Sequence, residues 1–142
     1  MIAPLRGYFL FRPTELSKKF TLGKNERLKS RKRIEEIFQK GKKISVPPFR
    51  ALYMKNDAIA ALQFSAGVSS RNFKKAVDRN RIKRLMREAW RVQKNNLKLI
   101  TEDKASSLFV FITYNGKELP DYKEVHDKMG KLIGVLTEQL SL

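Results

Sequence analysis

Residues 76–91 read AVDRNRIKRLMREAWR, and this stretch decides the fold. Arg or Lys fills positions 79, 81, 83, 84, 87 and 91 against only Asp78 and Glu88, yet apolar residues recur throughout. At about 100° per residue, Ile82, Leu85, Met86, Ala89 and Trp90 fall on one side of a helix. Their spacing is that of a helix laid on a sheet. Asn80, Lys83, Arg84, Arg87 and Arg91 gather on the other side, within an arc of roughly 100°. Like charges four apart, Lys83–Arg87 and Arg87–Arg91, each cost about 0.2–0.5 kcal/mol in an isolated helix. A merely solvated face would mix its signs. A guanidinium fork grips phosphate with two hydrogen bonds and stacks on bases, so this face has the chemistry of a phosphate track.

Outward from that helix the chain alternates recognisable elements. The helix starts between Asn72 and Asp78 and ends near Leu97 to Ile100, and a polar loop follows from Thr101 to Ser107. Leu108 to Tyr114 is a nearly continuous run of β-formers, predicting a buried strand ended by the Asn115–Gly116 turn. Asp121 then caps a last helix, with Glu124 three residues on. Its buried side is Val125, Met129, Leu132, Ile133, Leu136 and Leu140. Upstream, Ser30 caps a helix to Lys40, with Ile34, Ile37 and Phe38 on one face and Gly41 as the stop. Pro47–Pro48 opens an extended segment in which Phe49, Ala51 and Tyr53 share one face, and Leu52 and Met54 the other. Asn56–Asp57 signals a turn, and Ala58 to Ser69 reads as one or two strands, with Gly67 permitting a bend. The expected order is α-β-β-β-α-β-α, an α+β protein with helices packed on one sheet. Residues 1–20, with Pro4 and Pro13, read as an N-terminal extension, and 21–142 as a single domain.

Composition narrows the partner. The 142 residues carry 31 Lys+Arg against 14 Asp+Glu, a net charge of +17, and 42% of them are hydrophobic. Such self-repulsion in a folded chain calls for an anionic partner, nucleic acid or a membrane surface. Gly7 to Phe11 is too short to span a bilayer, and no segment has the broad apolar face of an anchoring helix. The chain has no cysteine, which removes disulfides and thiolate metal sites and fits a reducing compartment. Nor does the sequence carry an evident active site. His126 is the only histidine and lies beside the apolar stripe of the last helix, an ordinary surface position. Glu35 and Glu36 diverge by about 100° on a helix, and the other acids are scattered. Acid–base and metal-dependent nucleases need better-placed groups than these.

The run Lys75–Arg91, with Arg79-Asn80-Arg81, Lys83-Arg84 and Arg87 at fixed spacing, resembles the RNR helix of the protein subunit of bacterial ribonuclease P. Supporting matches extend from Leu22 to about Leu140. They include Leu28, the helix end Ile37-Phe38-Gln39-Lys40-Gly41, the strand Phe49 to Tyr53, and Val68-Ser69-Ser70-Arg71. The resemblance implies a two-layer α/β sandwich, similar to a ribosomal-protein domain, with a left-handed βαβ crossover. It also implies that an RNA subunit cleaves precursor tRNA while the protein binds that catalytic RNA and the 5′ leader. On that basis Arg79, Asn80, Arg81, Lys83, Arg84, Arg87 and Arg91 contact the catalytic RNA. Phe38, Ile34, Tyr53, Phe49 and Arg71 line a leader cleft between the first helix and the sheet. Phe64 is a further aromatic, for which the core competes as it does for Phe49. Lys29, Arg31, Lys32, Arg33, Lys42, Lys43 and Arg50 are further cations for the leader path. The implied protein has no catalytic residue and no metal site of its own, Mg2+ entering through the RNA subunit. It is a cytoplasmic monomer outside the holoenzyme, with no membrane partner. The family often has an aromatic at the place of Ile34, and the extension is not covered by the resemblance. Two other readings remain: a ribosomal or rRNA-associated module, which would need the charge but no aromatic cleft, and a stand-alone nuclease.

Overall fold

The computed structural model describes residues 26–56, 61–103 and 107–141; the expected extension, residues 1–20, lies outside them. Among the described residues four helices and four strands follow in the order α1 (Arg31–Lys40), β1 (Lys42–Val46), β2 (Phe49–Asn56), β3 (Ala61–Val68), α2 (Ala76–Gln93), α3 (Asn95–Asp103), β4 (Ser107–Tyr114) and α4 (Tyr122–Ser141). The strands form one sheet in the order β1-β2-β4-β3. β1 and β4 run antiparallel to β2, while β3 runs parallel to β4. That parallel pair needs a crossover, and α2 with α3 supplies it.

Local chemistry sets the ends of the helices. Ser30 Oγ accepts from the Arg33 N–H, and Asp121 Oδ1 accepts from the Glu124 N–H at 2.8 Å, so both expected N-caps form. Gly41 stops α1, its N–H donating to the Ile37 carbonyl at 2.8 Å. A Cβ there would stand 2.4 Å from that same oxygen, so only glycine allows so tight a passage into β1.

Two features depart from expectation. A strand not expected there, β1 (Lys42–Val46), lies ahead of Pro47–Pro48, and of the one or two strands read in Ala58 to Ser69 there is one, Ala61–Val68. The basic helix breaks at Lys94, and a separate helix, α3, carries the chain to Asp103. Gly67 sits inside an unbroken β3, and its missing side chain makes room for the Phe111 ring, which a Cβ would meet at 3.0 Å.

Strand alternation divides the core. One face of the sheet carries Phe49, Ala51, Tyr53, Leu62, Phe64, Leu108, Val110, Ile112 and Tyr114. Onto it pack Ile82, Met86, Ala89 and Trp90 of α2, Leu97 of α3, and the six expected apolar residues of α4. Phe64 and Trp90 stack with centroids 4.5 Å apart. The other face carries a smaller cluster of Ile37, Leu28, Leu52 and Phe109, with Ile34, Met54 and Phe111 against it. Among the described helices, α1 is the one that lies there, over β2 and β4.

Candidate nucleic-acid interface

The amphipathic design of α2 is realised. Asn80, Arg81, Arg84 and Arg87 are exposed, and Lys83 is half-buried at the margin of the helix. Among the described residues, Arg81, Lys83, Arg84 and Arg87 have no carboxylate partner. Two members of the predicted set are otherwise engaged. Arg79 Nη1 donates to the carbonyls of Phe73 and Lys74, each at 2.8 Å, so it fastens the loop entering the helix. Arg91 forms a two-point ion pair with Glu88 on the same helix, its Nε 3.1 Å from Oε2. That hydrogen bond holds the Glu88 carboxyl below its usual range and neutralises the charge locally. The cationic face therefore narrows to Arg81, Lys83, Arg84 and Arg87, with Asn80 as a neutral donor and acceptor.

Sequence reasoning missed the hollow that this face borders. Arg27 bridges to Phe64 in parallel, and the Leu28 N–H donates to the Phe64 carbonyl at 2.9 Å. The segment ahead of α1 thus runs along the free edge of β3. Arg27, Lys29, Lys83 and Arg87 then surround a basin of about 500 Å³ floored by Phe64, Ser65 and Ala66. Nothing local in the sequence announces such an edge pairing. It is held from behind by Glu26, whose carboxylate touches the Lys94 ammonium and lies 3.1 Å from that of Lys98. Lys94 is only 1% exposed. Burial and the neighbouring Lys98 charge push its pKa down to about 8, and the Glu26 carboxylate works in the opposite direction.

The second surface is the groove beside α1. Phe38 is 54% exposed, with its ring 5.1 Å from that of Phe111. Ile34 packs one turn earlier against the small cluster, and the Arg33 guanidinium carbon sits 4.4 Å above the Phe109 ring. Next to Phe38 opens a hollow of about 230 Å³ bordered by Lys43, Arg50, Leu52, Thr113 and Asn115. Arg71 is exposed in the loop before α2. Its neighbour Asn72 ties that loop to the rim of the hollow, donating to the carbonyls of Asn115 (3.1 Å) and Gly116 (3.3 Å).

Three aromatics expected here do not belong to the groove. Phe49, Tyr53 and Phe64 are 1%, 4% and 2% exposed, on the opposite face of the sheet beneath α2 and α4. Phe49 packs edge-on against Tyr114, with centroids 5.6 Å apart. The reason is the two-residue period of a strand: the groove takes the even positions of β2, so Leu52 stands where Tyr53 was expected. Phe111 of β4, paired with Leu52, supplies the second ring.

Chemistry carried by side chains is sparse. The His126 imidazole is half-exposed beside the Tyr122 ring, its Nδ1 3.9 Å from an Asp127 oxygen. Among the described residues no three His, Asp or Glu side chains stand close enough to hold a metal ion. Among them, too, no helix is long and apolar enough to cross a membrane.

Comparison with known proteins gives one result. The family model described as Ribonuclease P matches residues 22–137. A ribonuclease P protein component of Porphyromonas gingivalis is 34% identical over 114 residues, covering 79% of this chain and 83% of the relative. That of Syntrophus aciditrophicus is also 34% identical, over 118 residues, covering 82% and 91%. The solved RNase P protein of Thermotoga maritima superposes with a TM-score of 0.61 at 25% identity, over 80% of this chain and 96% of that one. A Staphylococcus aureus RNase P protein shares the fold, with a TM-score of 0.63 at 21% identity over 80% and 96%.

Proposed function

This chain belongs to the ribonuclease P protein family, and from that premise we propose how its two basic surfaces divide the work of removing 5′ leaders from precursor tRNA. The exposed face of α2 holds the catalytic RNA. Arg81, Lys83, Arg84 and Arg87 displace counterions from the phosphate backbone, and each neutralised phosphate steepens the salt dependence of binding by about 0.7–0.9 log units. Asn80 hydrogen-bonds between them. The α1 groove holds the single-stranded leader. Phe38 and Phe111 offer ring faces that accept any base, at about 1–3 kcal/mol per stacked base. Lys43, Arg50 and Arg71 follow the backbone. Bond-breaking belongs to the RNA, which also carries the Mg2+ it requires; this chain orients the substrate and screens the charge between two RNAs. It joins the assembly as a monomer and works in the cytoplasm, where bacterial transcripts are processed.

The observation that supports this reading best is the α2 face itself: guanidiniums along the exposed side of a helix whose other side is buried, with no carboxylate of the described residues set against them. Reconstitution tests it. Protein freed of RNA is incubated with precursor tRNA, with and without a bacterial ribonuclease P RNA, at moderate magnesium. Cleavage at the mature 5′ end should require the RNA and be stimulated by the protein. Cleavage by the protein alone would make it a nuclease in its own right. A protein without effect on the RNA-catalysed reaction would point instead to an rRNA-binding module.

A further inference from the structure

The loop between β3 and α2 carries an exposed cation of the leader path, Arg71, yet the residues around it are held on several sides. The Phe73 N–H donates to the Ser69 carbonyl at 3.2 Å and closes the loop into a turn. The Phe73 ring is buried beside that of Tyr114, with centroids 6.1 Å apart, and its carbonyl accepts from Arg79 at 2.8 Å. The contact that reaches farthest along the chain is made by Asn72. Its side-chain amide donates to the carbonyls of Asn115 and Gly116, 43 and 44 positions on.

The turn that receives Asn72 is itself fixed. The Asn115 N–H donates to the Pro48 carbonyl at 2.8 Å, and the Tyr114 hydroxyl to the Glu118 carbonyl, also at 2.8 Å. A Cβ on residue 116 would strike that hydroxyl, so glycine lets the turn close over it. Asn115 also borders the hollow beside Phe38. β3 and β4 end side by side, Val68 paired with Tyr114, so the loops that leave them start together. Beyond the sheet, Asn72 keeps them together: one amide nitrogen with two hydrogens suits two carbonyls.

We propose that Asn72 is a positioning residue for leader recognition, whose two hydrogen bonds to the 115–116 turn hold the Arg71 loop against the mouth of the α1 groove. The proposal rests on the leader groove assigned above. Held in this way, Arg71 meets the leader backbone from a loop already in place; on a free loop it would first have to be ordered, which costs affinity. The α2 face does not depend on the strap, because Arg79 fastens the entry to that helix separately. Nor does the core: Asn72 is half-buried at the surface, where water can satisfy the two carbonyls once the amide is gone.

Holoenzyme reconstituted with the full chain tests this through one ratio, its affinity for leader-bearing precursor tRNA over its affinity for mature tRNA. Asn72→Ala should lower the ratio about threefold to tenfold. Affinity for mature tRNA and for the catalytic RNA, and the thermal midpoint, should stay near wild type. Arg71→Ala should lower the ratio by a similar factor. The double variant should lose no more than Arg71→Ala alone, because Asn72 acts through Arg71, whereas independent residues multiply their factors. Asn72→Gln keeps the amide donor and should retain more of the ratio than Asn72→Ala. Multiplied losses in the double variant, or equal losses for Asn72→Gln and Asn72→Ala, overturn the proposal. So does Asn72→Ala weakening both tRNAs alike, which would make Asn72 a plain structural residue. An intact ratio in Asn72→Ala while Arg71→Ala lowers it removes the strap and leaves the groove standing. If neither Arg71→Ala nor Phe38→Ala lowers the ratio, the groove itself is wrong and the strap falls with it.

Discussion

At the scale of single residues, Lys94 shows how a charge can be structural in a chain full of functional ones. It sits at the break between α2 and α3, 1% exposed, against a glutamate 68 positions away in sequence. A lysine at the end of a basic helix reads as solvent-facing, and only its remote partner shows otherwise. Removing one partner of a buried ion pair leaves an uncompensated charge, which costs about 3–5 kcal/mol. Glu26→Gln should therefore lower the urea midpoint substantially and free the 26–28 segment from the β3 edge, and an unchanged midpoint would show that the pair is not structural. The same lysine has a signature in pH. Its folded pKa is about 8 and its ordinary value 10.5. Between these the unfolded chain holds a proton that the folded chain has lost, so this group makes stability rise with pH across that window. Measured by urea melts, wild type should gain stability relative to Lys94→Met from pH 8 to 10.5; a constant gap would contradict the depressed pKa.

Among the elements, the buried faces of the helices were legible, but the break at Lys94 and the helix running on to Asp103 were not, and the strands were only partly so. The 3.6-residue period picked out the buried faces of α2 and α4 residue by residue, because each helix has one wide apolar stripe. β1, Lys-Lys-Ile-Ser-Val, is a short edge strand with little to bury, and its pattern is too weak to stand out. In β2 the alternation is readable, but which face meets α1 is a matter of tertiary packing, so Leu52 and not the expected Tyr53 lies on the groove side. For α2, the arc of like charge was readable and its internal neutralisation was not. That difference can be measured. Arg84→Ala and Arg87→Ala should each flatten the log–log salt dependence of catalytic-RNA binding by about 0.7–0.9, as one lost phosphate contact does. Arg91→Ala, whose guanidinium already pairs with Glu88, should flatten it by much less. Equal slopes for all three variants would mean that the Glu88 pair opens when RNA binds.

For the whole molecule, the sheet separates the two proposed surfaces, since α2 packs on one face and α1 on the other. The sequence order of the elements was readable, but the sheet order β1-β2-β4-β3 follows from long-range pairing that no local pattern encodes. That order sets Phe111 of β4 beside Leu52 of β2, and so builds the aromatic floor under Phe38. A protein divided in this way should also divide its defects. Phe38→Ala removes a half-exposed ring, with little cost to the core, and should weaken holoenzyme affinity for leader-bearing precursor tRNA by about 1–3 kcal/mol. Affinity for mature tRNA, and for the catalytic RNA, should stay as in wild type. Arg87→Ala should do the reverse, weakening assembly with the catalytic RNA while an assembled holoenzyme still prefers the leader. Sites that share no partner combine additively to within about 0.5 kcal/mol. A double mutant whose losses exceed the sum by more than that would show the surfaces to be coupled through the sheet, and one RNA element to be reading both.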